Sequence, residues 1–270
     1  MFKGQTAALL LVCFAIPCAA WSVPAGFART TLRRSTVSLS PPMAAARAAR
    51  SGGVMRASMA MDVSTSSQLA QLSGMTVLSV DTGDLTVIEE LGKTGYITDA
   101  TTNPLFVSQA GTSGDPRYVA FVDEAIKYAN EEGKTLDDNA KVGLAIDRLA
   151  VNLGTAISKL VPGYVSTEVD PRLSFSMEES LTRARGIIAM YEKEGVPRSR
   201  ILIKLAATWE GIKAAEILEK EGITCNLTLV FGVLQAAAAA QAGARLISPF
   251  TGRILDWHKV DKKQEVYPIP

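Results

Sequence analysis

The stretch ILIKLA, residues 201–206, decides the fold. Side chains of an extended strand alternate between two faces. Ile201, Ile203 and Leu205 therefore share one face, and Leu202, Lys204 and Ala206 the other. Both faces are apolar apart from one lysine. A strand apolar on both faces is covered on both, as in the parallel sheets of α/β proteins. A lysine that protects a sheet edge would stand on a solvated strand, which this is not. Lys204 is expected to be held away from water. Desolvation disfavours the ammonium form, and a neutral amine attacks a carbonyl carbon.

Five further runs share the character of ILIKLA: TVLSV (76–80), YITDA (96–100), YVSTEV (164–169), CNLTLVF (225–231) and RLISPF (245–250). The amphipathic segments between them carry helix punctuation. Ser176 and Glu179 form an S-x-x-E capping box for a helix that ends near Gly195. Asp115-Pro116 opens another, with proline in the first turn where no N–H is needed. Thr208 caps TWEGIKAAEILEKEG, which Gly222 closes. The alanine-rich FGVLQAAAAAQAG (231–243) favours helix. Two or three helices are expected in 104–163, around Gly133.

Strand then helix, six times over, predicts a parallel α/β domain. An open doubly wound sheet and a (β/α)8 barrel both fit that pattern. No glycine-rich nucleotide loop follows a strand. Asp81, Asn103, Glu168, Lys204, Thr228 and Ser248 all stand at or just past a strand's C-terminal end. In a barrel those positions converge at one mouth, where barrel enzymes place their chemistry. The reading is therefore a (β/α)8 barrel.

Within it, Glu168 is one strand from Lys204 and is expected to pair with it and to move protons for iminium formation. Asp81 suits a base for a sugar hydroxyl, with a loop-capping turn as the competing role; its neighbour Asp84 caps the next helix. Arg253, beside Gly252, suits a phosphate, with an ion pair to Asp256 three residues on as its competitor.

The first 61 residues read as an address. Lys3 precedes an apolar run, Thr6 to Ala20, that is short of the ~20 residues a membrane span needs. Residues 1–20 are signal-like, and 21–61 have the Ser, Arg and Ala composition of a transit peptide. Met1 to Met61 hold Lys3, Arg29, Arg33, Arg34, Arg47, Arg50 and Arg56 and no acid. A plastid behind an extra membrane is expected, ahead of mitochondrion or cytoplasm. The mature chain is expected to start between Ser51 and Thr65, with Thr65 and Gln68 as a first capping box.

Residues 62–270 form the barrel domain and keep 21 basic residues against 27 acidic, a balance of −6 that argues against nucleic acid. No membrane partner is expected of the mature form. Cys225 is alone in this region, inside an apolar run, and reads as inert packing. The single histidine, His258, excludes a histidine-cluster metal site.

DTGD (81–84), DATTNP (99–104), LAVNLG (149–154), STEVD (166–170), RILIKLA (200–206), GITCNLTLVF (222–231) and LISPFTGRILDW (246–257) together resemble the motifs of the transaldolases, in the family's order over nearly all of 66–260. The resemblance implies a barrel enzyme without metal or organic cofactor. Such an enzyme moves a dihydroxyacetone unit from a ketose phosphate to an aldose phosphate in the non-oxidative pentose phosphate pathway. It implies Lys204 as the Schiff-base lysine, Glu168 and Thr228 as the pair that holds a catalytic water, and Asp81 as the base for C–C cleavage. It further implies Asn103, Asn226 and Ser248 on the bound three-carbon unit, Arg253 on the phosphate, Phe250 as an aromatic wall, sugar phosphates as substrates and a homodimer as a compatible assembly. The chain departs from the pattern at Gly232, usually polar, and Ala237, usually basic.

Only about six of eight βα units are read in this chain, so the domain is expected to be incomplete. The first and sixth strands are then expected to lack partners, and 62–270 alone to be poorly soluble and inactive. Two alternatives stand beside the enzyme: a fructose 6-phosphate aldolase-like lyase, which by resemblance would carry Gln where Glu168 stands, and a non-catalytic fragment.

Overall fold

In the computed structural model, residues 9–12, as backbone, and 67–263 are described. The leader (1–20) outside 9–12, the transit-like segment (21–61), Thr65 and the expected start of the mature chain lie outside the described residues.

Six strands run parallel in chain order: β2 (Leu78–Asp81), β3 (Ile97–Thr101), β4 (Val165–Glu168), β5 (Ile201–Ala206), β6 (Cys225–Val230) and β7 (Leu246–Pro249). Each pairs with the next. A doubly wound sheet reverses its strand order part-way; this one never does, and it forms the curled wall of a half-barrel. All six strands predicted from the sequence are present, with ends moved by one or two residues.

The helices are α1 (Gln68–Met75), α2 (Leu85–Gly92), α3 (Pro104–Thr112), α4 (Pro116–Glu132), α5 (Asp138–Ser158), α6 (Met177–Lys193), α7 (Trp209–Lys220), α8 (Val233–Gln241) and α9 (Thr251–Asp261). The stretch 104–163 thus holds three. Asp84, Asp115 and Thr208 accept backbone N–H bonds at the starts of α2, α4 and α7, as their positions implied.

Three local expectations are corrected. Ser67 caps α1 by accepting from the Ala70 N–H, two residues after the expected Thr65. The Ser176–Glu179 box is only half formed. The Ser176 hydroxyl accepts from the Glu179 N–H but also donates to the Glu179 carboxylate. The Ser176 N–H goes instead to the Leu173 carbonyl, because a 3-10 turn precedes the helix. The first parallel strand also has a partner: β1 (Leu9–Val12) lies antiparallel along β2, with Leu9 opposite Asp81 and Val12 opposite Leu78. An open edge of N–H and C=O groups accepts any extended segment within reach.

The register separates the two faces of the sheet. Asp81 pairs with Thr101, Thr101 with Ser166, Glu168 with Lys204, Lys204 with Asn226 and Ala206 with Thr228. These residues share the inner face. Val80, Val165, Ile201, Ile203, Cys225 and Leu227 stand on the other and are fully buried. Ile157, Ile187, Ile188 and Leu218 from the helices complete that core. The apolar area on this outer side, at roughly 25 cal/mol per Å², is the force that holds a polar inner face in place. Tyr191 of α6 anchors β4 directly, its hydroxyl 2.6 Å from the Thr167 hydroxyl in a fully buried pair. Gly154 of α5 makes the room, since a Cβ there would collide with the Tyr191 hydroxyl.

Candidate active site

Lys204 occupies the middle of this inner face and is 6% exposed. Its Nζ lies 3.2 Å from Glu168 Oε2 and donates to the Thr102 carbonyl at 3.3 Å. Adjacent parallel strands in register bring the two side chains together, so the expected pairing of Glu168 with Lys204 is present. Burial pushes the Glu168 carboxyl above its ordinary range, Lys204 pulls it back and the nearby Asp81 adds to the rise. Asp81 is likewise raised by burial and drawn down by Lys204. Two carboxyls whose affinity for a proton is raised thus flank one amine, an arrangement that suits proton transfer.

Asp81 Oδ1, Thr101 Oγ1 and Thr228 Oγ1 are buried and have no hydrogen-bond partner among the described residues. Each such atom costs roughly 1–3 kcal/mol when unmet. Three of them on one face around a buried lysine mark a surface built to bond something other than itself. The loop-capping role that competed for Asp81 leaves this oxygen unexplained.

Asn226 donates to the Ser166 hydroxyl at 3.2 Å and accepts from the Ser248 hydroxyl at 2.8 Å, a buried chain across β4, β6 and β7. Asn103 caps α3 by accepting from the Phe106 N–H at 3.1 Å. Together with Glu168, Asp147, Asp170 and Arg172 it lines a hollow of about 380 Å³. A larger hollow of about 640 Å³ lies between α5 and α6, and no strand-end residue lines it. The smaller one is the relevant space, because it reaches Glu168.

Phe250 precedes α9, with its ring edge-on to Phe231 at 5.7 Å between centroids. Arg253, in the first turn of α9, is 76% exposed on its side chain and lies 4.0 Å from Asp256. That is the competing ion pair, but so long and solvated that it contributes little. Lys204, Glu168, Asp81, Thr228, Asn226 and Ser248 therefore share one inner surface. Asn103 borders the adjoining hollow, and Phe250 and Arg253 stand beyond the end of β7. Cys225 is fully buried on the outer face, where burial pushes its thiol up, in line with inert packing.

Reasoning from sequence missed Ser166, two residues before Glu168 and therefore on its face, a relation that period-2 alternation would have exposed. It also missed Thr102, which acts through its backbone carbonyl, an atom every residue has. Asp147 escaped as well. This aspartate on the apolar side of α5 is held by Arg183 at 2.5 Å, and burial pushes its carboxyl up to about 6. Among the described residues, no group of three His, Cys, Asp or Glu could hold a metal ion. No described helix is long and apolar enough to cross a membrane.

Residues 78–268 match the family model described as Transaldolase/Fructose-6-phosphate aldolase. The transaldolase of Nostoc punctiforme is 51% identical over 201 residues, covering 74% of this chain and 58% of that protein. A Marinomonas transaldolase is 52% identical over 200 residues, covering 74% and 61%. A probable transaldolase of Dictyostelium discoideum is 50% identical over 194 residues, covering 72% and 58%. The chain thus spans about 60% of the length of these relatives. The sequential parallel wall and the buried lysine beside a carboxylate agree with a family match over 78–268, and the chain belongs to the transaldolase/fructose-6-phosphate aldolase family.

Proposed function

We propose that the protein is a transaldolase. It transfers a dihydroxyacetone unit from sedoheptulose 7-phosphate or fructose 6-phosphate to erythrose 4-phosphate or glyceraldehyde 3-phosphate through a Schiff base on Lys204. The observation that carries the reading is Lys204, buried, 3.2 Å from Glu168 and flanked by the unbonded oxygens of Asp81 and Thr228.

Lys204 adds to the C2 carbonyl, giving a carbinolamine. Glu168, with its raised affinity for a proton, supplies the proton that lets the carbinolamine hydroxyl leave as water. A water held with the Thr228 hydroxyl relays it. Asp81 takes the C4 hydroxyl proton. The C3–C4 bond then breaks, its electron pair enters the iminium to give an enamine, and C4 leaves as the aldehyde carbon of an aldose phosphate. Asn103, Asn226 and Ser248 hold the three-carbon enamine until a second aldose phosphate enters and the steps reverse. Arg253 meets the phosphate and Phe250 closes the side of the site.

The test is a transfer assay on the protein joined to two further βα units, since residues 62–270 alone are expected to be inactive. With fructose 6-phosphate and erythrose 4-phosphate, the protein should form sedoheptulose 7-phosphate and glyceraldehyde 3-phosphate, and release no free dihydroxyacetone when the acceptor is left out. Acceptor-independent release would make it the lyase; neither product would make it a non-catalytic chain.

For location, the acid-free, arginine-bearing segment before Asp62 supports entry into a plastid. In the cleaved form the β1 strand would leave with the leader and free the outer edge of β2. A fusion of residues 1–62 to a fluorescent protein should accumulate in plastids. Fluorescence confined to the cytosol or mitochondria would overturn the assignment.

A further inference from the structure

The end of β6 holds a residue in an unfavourable conformation. Leu229 has φ +59°, in the left-handed region that costs a residue with a Cβ free energy. It immediately follows Thr228, and the pairing of β6 with β7 is irregular there, between Leu227 and Val230. Such a conformation persists only where its surroundings impose it.

One side chain supplies those surroundings. Gln235, in the first turn of α8, uses both ends of its amide. Its Oε1 accepts from the N–H groups of Phe231 at 2.9 Å and Gly232 at 3.2 Å. Its Nε2 donates to the carbonyls of Leu229 at 3.2 Å and Ala207 at 2.9 Å. Ala207 closes the ring, because its N–H donates to the Thr228 carbonyl at 2.7 Å. The residue just past the strand of Lys204 and the residue just past Thr228 are thus tied to one amide group.

Helix capping explains only half of this. A glutamine at the third helical position commonly reaches back to the N–H of the capping residue, and Gly232 and Phe231 fill that role. Capping does not require the Nε2 donors, which reach the residue just past the strand of Lys204 and the residue just past Thr228 near the end of β6. Resting on the transaldolase reading above, we infer that Gln235 is a positioning residue, which holds the ends of β5 and β6 together and thereby sets the Thr228 hydroxyl relative to Lys204 and Glu168.

Gln235→Glu separates the roles, since it keeps an acceptor for Phe231 and Gly232 but turns an oxygen toward two carbonyls. Borohydride trapping at Lys204 with fructose 6-phosphate should slow by about tenfold or more, the scale of two lost hydrogen bonds, with the donor KM changed by less than about threefold. Gln235→Ala should act in the same direction. Adding Leu229→Gly to Gln235→Ala should recover part of the rate, because glycine adopts positive φ without penalty. Hydrogen exchange of the Ala207 amide needs no activity; it reads the bond from Ala207 to the Thr228 carbonyl, which the tie holds closed, and should quicken by about tenfold in Gln235→Glu. Trapping at the wild-type rate, or an unchanged Ala207 exchange rate, overturns the inference and leaves Gln235 a helix cap. If the parent protein forms no adduct at Lys204, the transaldolase reading has failed, and the exchange of Ala207 alone decides whether Gln235 ties the strands.

Discussion

Borohydride reduction of the protein with fructose 6-phosphate is expected to leave sugar-derived mass on the peptide that contains Lys204, and on no other lysine. In the Lys204→Met variant the adduct should vanish and turnover should fall by about 10⁵-fold or more, the scale reached when a residue that forms the covalent intermediate is removed. Methionine suits the comparison because it fills similar space with no charge or amine. The physical ground is that Lys204 alone, of the lysines in the described strands, is buried on a polar inner face with a carboxylate at 3.2 Å. A folded Lys204→Met protein that retains turnover, or mass found on another lysine with Lys204 bare, would remove the basis of the mechanism.

The second large effect concerns Glu168. Glu168→Gln is expected to slow transfer by roughly 10²–10⁴-fold, the usual range for a positioned acid–base group, with a smaller change in donor binding. Glutamine preserves shape and can accept one hydrogen bond from Lys204, but it carries no transferable proton. Burial already raises the affinity of Glu168 for a proton while Lys204 opposes it. Removing the carboxylate therefore also breaks the buried pair with Lys204. The two consequences separate by experiment. Loss of proton transfer lowers kcat, whereas loss of the buried ion pair lowers the melting temperature. A kcat within a few-fold of the parent would reduce Glu168 to a structural partner.

Much of this site was legible in residues 201–206 and their counterparts. The alternation of a strand is local geometry, so the face that Lys204 shares with Leu202 and Ala206 follows from the residues around it. Glu168 could be placed beside it because consecutive strands of a barrel are neighbours. The capping roles of Asp84, Asp115 and Thr208 were equally local, since a side-chain oxygen bonds an N–H two or three residues on. Reading failed where a second segment competed for the same atom. The Ser176 N–H was taken by Leu173 rather than Glu179. Gln235 lay in an alanine-rich tract whose composition spoke only of helix, although its amide reaches a carbonyl 28 residues away.

The sequence by itself determined that six strands alternate with helices, which residues share a face of each strand, that Lys204 stands alone among apolar residues, and which family motifs stand in which order. These are properties of short segments, fixed by the periods of strand and helix and by side-chain polarity. Only the tertiary structure decided the rest. It set the unbroken parallel order, the pairing of Leu9–Val12 with β2, the 3.2 Å approach of Lys204 to Glu168, the unmet oxygens of Asp81 and Thr228, and the Gln235 tie. The reason is that distance in space, desolvation and competition for hydrogen bonds depend on atoms brought together from far along the chain. No window of sequence contains both partners.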